Sequence, residues 1–171
     1  LAVASATVPT IAYADDASEQ VVSEVSVQGN DTVAVQTVLS QLRTVPGKPV
    51  STQILSEDLK RLYSLGYFKD VQIKQDTDPA TGKLKVIFIV KEKPVLREVE
   101  ITGNVKIKTK DLEAKVKSKA GDFFDEQQVR RDVDAAKKLY EEKGYYDAGV
   151  RYKMDFDPTA NQAKLAIIVE E

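Results

Sequence analysis

The chain has 171 residues, of which 42% are hydrophobic and 30% are charged, a balance typical of globular rather than disordered proteins. Lysine and arginine total 25 against 27 acidic residues, so the net charge is −2 and the chain lacks the positive field that attracts nucleic acid. Histidine and cysteine are both absent, which removes the commonest general base, the thiolate nucleophile and the usual zinc ligands. We therefore expect neither an enzyme nor a nucleic-acid-binding protein, and we expect no cofactor and no metal.

The first twenty residues resemble the end of a secretory signal peptide. Residues 1–11 are small and mostly apolar, and Ala12-Tyr13-Ala14 matches an A-x-A cleavage site ahead of two aspartates. We expect residues 1–20 to be a signal-peptide remnant and flexible leader, and the mature protein to be exported. No segment reaches the ~18 consecutive apolar residues of a membrane-spanning helix.

The rest of the sequence repeats itself. Residues 25–30 (VSVQGN) match residues 99–104 (VEITGN) at an offset of 74 residues. Residues 76–79 (DTDP) match residues 155–158 (DFDP) at an offset of 79 residues, so the second copy has gained five residues. The duplication indicates two similar modules in tandem.

Four of the five extra residues enter between Gly47 and Gly66 and their partners in the second copy. Matching Leu62-Tyr63 with Leu139-Tyr140 puts three of them before the Leu-Tyr pair and one after it. This stretch is predicted to be helical, and three to four residues make about one helical turn. The apolar face is therefore expected to stay in phase on either side of the gain.

Each copy is predicted to begin with a β-strand and a first helix. Val25 and Val27 alternate with polar residues, and Val99 and Ile101 do so in the second copy. The helix that follows has apolar residues at i, i+3, i+4 and i+7. These residues are Val35, Val38, Leu39 and Leu42, and the second copy keeps Leu112 and Val116.

A second helix is predicted after a glycine-containing loop. Ser51 and Asp125 are suitable N-caps, and Asp125 with Gln128 resembles a capping box. Gly66 and Gly144 stand where the end of a helix requires a left-handed residue. The buried stripe of this helix is predicted to comprise Leu55, Leu59 and Leu62 in the first copy and Val129, Val133, Ala136 and Tyr140 in the second.

Two strands joined by a D-x-D-P turn complete each copy. The last strand, over residues 86–90 and 165–169, is apolar on both faces, so we place it in the centre of the sheet. The predicted fold class is α+β: two tandem βααββ modules, residues 21–93 and 94–171, each a three-stranded mixed sheet with two helices on one face. Residues 91–94 form the linker, which is too short and stiff for independent tumbling.

Several of these segments resemble POTRA domains. Residues 62–71 (LYSLGYFKDV) are the most specific, and residues 86–94 (VIFIVKEKP) are their usual companion. A strand ending in Gly-Asn and the loop at residues 47–51 (GKPVS) complete the pattern, and the resemblance covers residues 21–171. The second copy departs from the pattern in its longer second helix and in Tyr146, where the first has Phe68.

Tandem POTRA domains behind a signal peptide are similar to the N-terminal periplasmic part of the BamA family of outer-membrane assembly factors. The resemblance implies a role in protein assembly and membrane protein insertion, and further POTRA domains and a membrane-embedded barrel beyond Glu171. It implies unfolded outer-membrane β-barrel polypeptides and accessory assembly lipoproteins as partners. TamA-like factors and two-partner secretion transporters have a similar layout.

We expect extended polypeptides to bind by β-augmentation, adding a strand to the edge formed by the second strand of each copy. An edge strand offers unpaired N–H and C=O groups to any extended chain. The alternative is that these edges are solvated or pack on the neighbouring copy. The residues expected to form the polypeptide-binding edges are Phe68, Lys69, Asp70, Val71, Gln72, Ile73, Lys74, Gln75, Asp147, Gly149, Arg151 and Lys153.

Other functions fit the sequence less well. Aspartates at 76, 78, 155 and 157 faintly resemble calcium loops, but a proline interrupts each spacing and hairpin turns favour these residues anyway. A KH-like RNA-binding module shares the βααβ core but needs a G-x-x-G loop, which residues 47–50 (GKPV) and 121–124 (GDFF) lack. A division or cell-envelope scaffold with a single POTRA-like unit is disfavoured by the two copies.

Overall fold

The computed structural model describes residues 20–79 and 81–171, which form two modules of the order β-α-α-β-β. The predicted leader therefore lies outside the described residues, apart from Gln20. The first module contains β1 (Val22–Gln28), α1 (Val35–Leu39), α2 (Thr52–Ser64), β2 (Phe68–Thr77) and β3 (Leu84–Glu92). The second contains β4 (Val95–Thr102), α3 (Thr109–Glu113), α4 (Glu126–Glu142), β5 (Gly149–Asp157) and β6 (Gln162–Glu170). None of these helices is long and apolar enough to cross a membrane.

The last strand of each module occupies the centre of its sheet. The strand orders are β1-β3-β2 and β4-β6-β5. The first strand pairs with the central one in parallel, and the second strand pairs with it antiparallel. The predicted α+β class, with two mixed three-stranded sheets, is confirmed.

The loop between the helices pairs with the outer side of the first strand in each module. The Val22 N–H donates to the Lys48 carbonyl at 3.0 Å, and the Gly47 N–H donates to the Val22 carbonyl at 2.8 Å. Leu96 makes the equivalent two bonds with residues 121 and 122, both at 2.8 Å. These loops occupy the position of the G-x-x-G loop in the KH-like alternative, and here they close the start of one sheet edge.

The helix ends agree only in part with the sequence patterns. The Ser51 hydroxyl accepts a hydrogen bond from the Ile54 N–H at 3.3 Å, and the Asp125 carboxylate accepts one from the Gln127 N–H at 2.9 Å. The predicted capping box is wrong, because the Asp125 carboxylate accepts from the Gln127 N–H and not from the Gln128 N–H, and the Gln128 side-chain oxygen accepts from Arg131. The first helix of the first module is also shorter than predicted and ends at Leu39.

The extra residues of the second copy form one additional helical turn, since α4 has 17 residues and α2 has 13. Tyr140 is fully buried, as Leu62 is, whereas Tyr63 is 45% exposed. Burial therefore pairs Leu62 with Tyr140, and the sequence match between the two Leu-Tyr pairs is wrong by one position. Four added residues keep the helix nearly in phase, whereas three would rotate the buried face by about 60°.

A buried aspartate in the longer helix of each module fixes the preceding loop. Asp58 accepts hydrogen bonds from the N–H groups of Arg43 and Thr44 at 2.7 and 2.9 Å. Asp132 accepts from the N–H groups of Lys117 and Ser118, both at 2.9 Å, and from the Ser118 hydroxyl at 2.6 Å. Sequence reasoning missed both residues, although an aspartate on the apolar stripe of each copy was the available signal.

A glutamate at the end of each central strand holds a second loop. The buried Glu92 carboxylate accepts hydrogen bonds from the N–H groups of residues 31, 32 and 33, the shortest at 2.8 Å. Glu171 accepts from the N–H groups of Val105 and Lys106 at 2.9 and 2.7 Å. The loops that precede α1 and α3 are therefore anchored in the same way in both modules.

The linker is shorter than predicted, because β3 extends to Glu92 and β4 begins at Val95. Only Lys93 and Pro94 remain between the modules. The rings of Tyr67, in the first module, and Phe123, in the second, pack with their centroids 5.0 Å apart. The modules are therefore in direct contact as well as covalently joined.

Gly29→Ala should destabilise the protein much more than Gly47→Ala. The two glycines have nearly the same positive φ, +83° and +82°, but a Cβ at Gly29 would lie 2.2 Å from the Val90 carbonyl oxygen, whereas one at Gly47 meets nothing within 4 Å. Left-handed strain alone costs about 1–2 kcal/mol in either variant. Overpacking should add about 1–3 kcal/mol for Gly29→Ala. Equal midpoints of urea unfolding, followed by circular dichroism, would contradict the close backbone approach.

Asp132→Asn should lower the free energy of unfolding by about 2 kcal/mol at neutral pH, because the carboxylate accepts several charge-assisted hydrogen bonds. Burial raises the pKa of Asp132, but the bonds from Ser118, Lys117 and Gln128 outweigh it and hold the pKa below its ordinary value. The contribution of the Asp132 carboxylate to the free energy of unfolding is therefore fully present above the ordinary aspartate pKa, and it is lost as the pH falls from that value through the lowered pKa of Asp132. Asp134→Asn, at an exposed position of α4, is the matched control. The free energy of unfolding is measured by urea denaturation at several pH values. If it changes with pH in Asp132→Asn as it does in the unsubstituted protein, Asp132 does not have this role.

Candidate functional site

β2 and β5 are edge strands, each hydrogen-bonded to the central strand of its sheet on one side only. All eight predicted edge residues of the first module, 68–75, lie in β2. In the second module, Gly149, Arg151 and Lys153 lie in β5, and Asp147 precedes the strand. The structure thus brings the predicted residues together as two separate strand edges.

One hydrogen bond identifies which backbone groups of β2 face outward. The Val71 N–H donates to the Tyr63 hydroxyl at 3.1 Å, so the backbone of Val71 faces away from β3. Backbone direction alternates along an antiparallel strand, and the register with β3 is regular from Asp70 to Thr77. Ile73 and Gln75 therefore also face outward, whereas Gln72 and Lys74 pair with β3.

The outward-facing groups of β5 belong to the even-numbered residues. The Val169 carbonyl faces the end of β4, because its oxygen would lie 2.1 Å from a Cβ at Gly103. Val169 lies opposite Val150, so the backbone of Val150 faces away from β6. By the same alternation, Tyr152, Met154 and Phe156 face outward.

The predicted residues of β5 therefore contribute differently from those of β2. The register turns the backbone of Gly149, Arg151 and Lys153 toward β6. The side chains of Arg151 and Lys153 are exposed, on the opposite face of the sheet from the partly buried Tyr152 and Met154. A guest strand at this edge would meet the side chains of Arg151 and Lys153, but not their N–H groups.

An apolar groove lies beside the far end of β5, at the junction of the two modules. Its volume is about 590 Å³, within the range of ligand-binding clefts. Phe156 is 46% exposed. The groove is lined by the apolar residues Pro94, Phe124, Met154 and Phe156 together with Lys69, Lys93, Asp125, Glu126 and Gln127.

The start of α4 contributes negative charge to the lining of this groove. The Glu126 carboxylate accepts hydrogen bonds from Arg130 at 2.6 Å and from the Tyr152 hydroxyl at 3.3 Å. The hydrogen bond and the charge of Arg130 hold the pKa of Glu126 below its ordinary value. Because both side chains are solvent-exposed, this ion pair contributes little to stability.

The turn aspartates act within their own hairpins. Asp78 accepts a hydrogen bond from the Thr81 hydroxyl at 2.7 Å, and Asp157 accepts one from the Thr159 N–H at 2.9 Å. Across residues 20–79 and 81–171, no group of three or more acidic side chains is arranged to hold a metal ion.

The family model for POTRA, described as "Surface antigen variable number repeat", matches residues 20–93 and again residues 94–171. The chain belongs to the POTRA family. Each match spans one of the two modules, so the structure is a tandem pair of POTRA domains. The resemblance inferred from residues 62–71 and 86–94 is confirmed.

Two curated relatives are outer-membrane assembly factors. The chain is 30% identical over 156 residues to outer membrane protein assembly factor BamA of Nitratidesulfovibrio vulgaris. The matched region covers 90% of this chain and 19% of the relative. It is 25% identical over 155 residues to BamA of Neorickettsia risticii, with 86% and 20% covered. The two POTRA domains thus span a fifth or less of the length of these relatives.

Solved structures share the fold. The N-terminal domain of Omp85 from Thermosynechococcus elongatus superposes with a TM-score of 0.61 at 22% identity, covering 87% of this chain and 61% of that one. POTRA domains 1–2 of the periplasmic domain of Omp85 from Anabaena give 0.51 at 23% identity, covering 88% and 94%. The tandem arrangement of two POTRA domains therefore has a structural precedent.

Hydrogen exchange should reveal the outward-facing positions of β2. The amides of Ile73 and Gln75 face solvent, so we expect them to exchange more than about tenfold faster than those of Gln72 and Lys74, which pair with β3. NMR exchange rates of single amides measure this difference directly. Equal protection of Gln75 and Lys74 would show that the assigned backbone directions are wrong.

Proposed function

We propose that these two POTRA domains are the periplasmic polypeptide-binding and scaffold region of an outer-membrane β-barrel assembly factor. They bind unfolded substrate or partner strands by β-augmentation. The proposal is supported by the unpaired side of β2 and β5, and by relatives named as outer membrane protein assembly factors. The role is binding rather than catalysis.

The open edge in each domain is the observation that carries this proposal. An added strand pairs through main-chain groups, which every polypeptide possesses, so many different sequences are accepted. Each main-chain hydrogen bond contributes only about 0.5–1.5 kcal/mol net, so a short added strand is released readily. A carrier of unfolded chains requires this combination of broad acceptance and weak binding.

The contact between the domains supports the scaffold part of the role. Tyr67 packs on Phe123, and the linker carbonyl of Lys93 accepts a hydrogen bond from the Asn161 side chain at 3.3 Å. These contacts add to the covalent link between the two domains. By analogy with the longer relatives, the region would be joined to further POTRA domains and a membrane barrel, and would dock accessory assembly lipoproteins.

The double variant Gln75→Pro/Met154→Pro should lose most of its binding to an unfolded outer-membrane barrel polypeptide. Proline removes one outward N–H from each edge, a change that edge strands tolerate because no ladder bond is broken. Gln75→Ala/Met154→Leu keeps both N–H groups and is the matched control. Binding is measured by fluorescence anisotropy as the labelled polypeptide is diluted from urea, and folding by circular dichroism.

The control should bind as the unsubstituted chain does. If the folded proline variant binds as tightly as the control, the edges are not the binding sites and β-augmentation is ruled out for this region.

A further inference from the structure

The two edges differ because one of them is capped by its own domain. The Tyr63 hydroxyl lies over β2, where it accepts a hydrogen bond from the Val71 N–H at 3.1 Å and donates to Asp70 at 3.4 Å. An incoming strand would have to displace this hydroxyl to pair with Val71. The first POTRA domain therefore presents a partly occupied edge.

The second domain has lost the equivalent cap. Val150 lies opposite Val169 as Val71 lies opposite Val90, so Val150 is the counterpart of Val71. Because burial pairs Leu62 with Tyr140, the position equivalent to Tyr63 holds Glu141 and not a tyrosine, and the Tyr140 side chain is fully buried. Its hydroxyl donates to Glu171 at 2.6 Å. Among the described residues, none is placed by a hydrogen bond over the Val150 N–H as Tyr63 is over Val71.

The uncapped edge also borders the apolar groove. The backbone groups of Met154 and Phe156 face outward. The side chains of both residues line the groove together with Phe124. Neighbouring residues in paired strands project to the same face of the sheet. A guest strand paired with Met154 and Phe156 therefore directs every second side chain toward the groove.

The remaining guest side chains meet a polar surface. They lie beside Arg151, Lys153 and Asp155, all exposed on the other face of β5. A guest that satisfies both faces must alternate large apolar residues with polar or charged ones. This alternation is also the sequence pattern of membrane-barrel strands.

We propose that β5, and not β2, is the docking strand for guest polypeptides, and that it selects extended segments with alternating apolar and polar residues. An apolar guest side chain occupies the groove of Phe124, Met154 and Phe156. The β2 edge binds only when Tyr63 is displaced. This inference rests on the proposed function and names the edge and the substrate pattern.

The probe is a synthetic peptide of about ten residues, the length of a membrane-barrel strand, that alternates Phe or Val with Thr or Lys. An isomer of the same composition, with its apolar residues grouped, tests the requirement for alternation. Both peptides are titrated into the 15N-labelled protein, and amide shifts are mapped by NMR. We expect the alternating peptide to shift Tyr152, Met154 and Phe156 while Gln75 stays unperturbed, and the grouped isomer to bind at least about tenfold more weakly.

Two variants and one control test the two structural causes. Phe156→Ala removes one wall of the groove and should weaken binding by about tenfold. Tyr146→Ala removes an aromatic ring that is 76% exposed and precedes β5 at its other end, and it should have no effect. Tyr63→Phe removes the capping hydroxyl and should make Ile73 and Gln75 respond to the peptide. Dispersed amide spectra report that each variant is folded.

The outcomes separate this inference from the proposed function. Binding of the alternating peptide to β2 as tightly as to β5 in the unsubstituted protein overturns the inference and leaves β-augmentation standing. Equal affinity for the grouped isomer, or an unchanged affinity in Phe156→Ala, overturns the selection of alternating segments. Absence of binding at both edges in every variant overturns the proposed function itself.

Discussion

The pairing of the last strand of each POTRA domain with both of its neighbours determines which sheet edges of that domain are open. A strand has only two hydrogen-bonding sides, and β3 and β6 use both. The first strand is then an edge whose start is closed by the loop between the helices, through bonds such as Val22 to Lys48. The second strand is the other edge. The open margin is thus a consequence of strand order, and it recurs in both copies because the strand order recurs.

Divergence between the copies changes the edge of this shared framework near the end of the longer helix. The framework contacts are duplicated: Asp58 and Asp132 anchor equivalent loops, and Glu92 has its counterpart in Glu171. The turn added to α4 leaves these contacts and the buried face in place, and Tyr140 takes the buried position of Leu62. The next position is Tyr63, which contacts the strand edge, in the first copy and Glu141 in the second. One side-chain difference therefore alters the edge chemistry without altering the fold.

Repetition and hydrophobic periodicity were sufficient to predict the strand order, the two modules and the helix-ending role of Gly66, whose φ is +77°. They were insufficient where the outcome depends on contacts between distant segments. The direction of a backbone group depends on strand register, and a shift of one residue reverses it, which is why Arg151 and Lys153 were named instead of Tyr152 and Met154. The loop anchors were missed because their partners are backbone N–H groups, which no side-chain pattern reveals.

In the proposed binding mode, main-chain pairing provides attachment and side-chain contacts provide selectivity. Backbone hydrogen bonds carry no sequence information, so an edge alone accepts any extended chain, including chains that should be left alone. A groove on one face and charged residues on the other add a pattern requirement without specifying any single residue. In the proposed docking mode, Phe156 on the groove side and Lys153 on the polar side would select alternating residues and not one particular sequence. Such an edge can discriminate a class of unfolded proteins while holding each member only weakly.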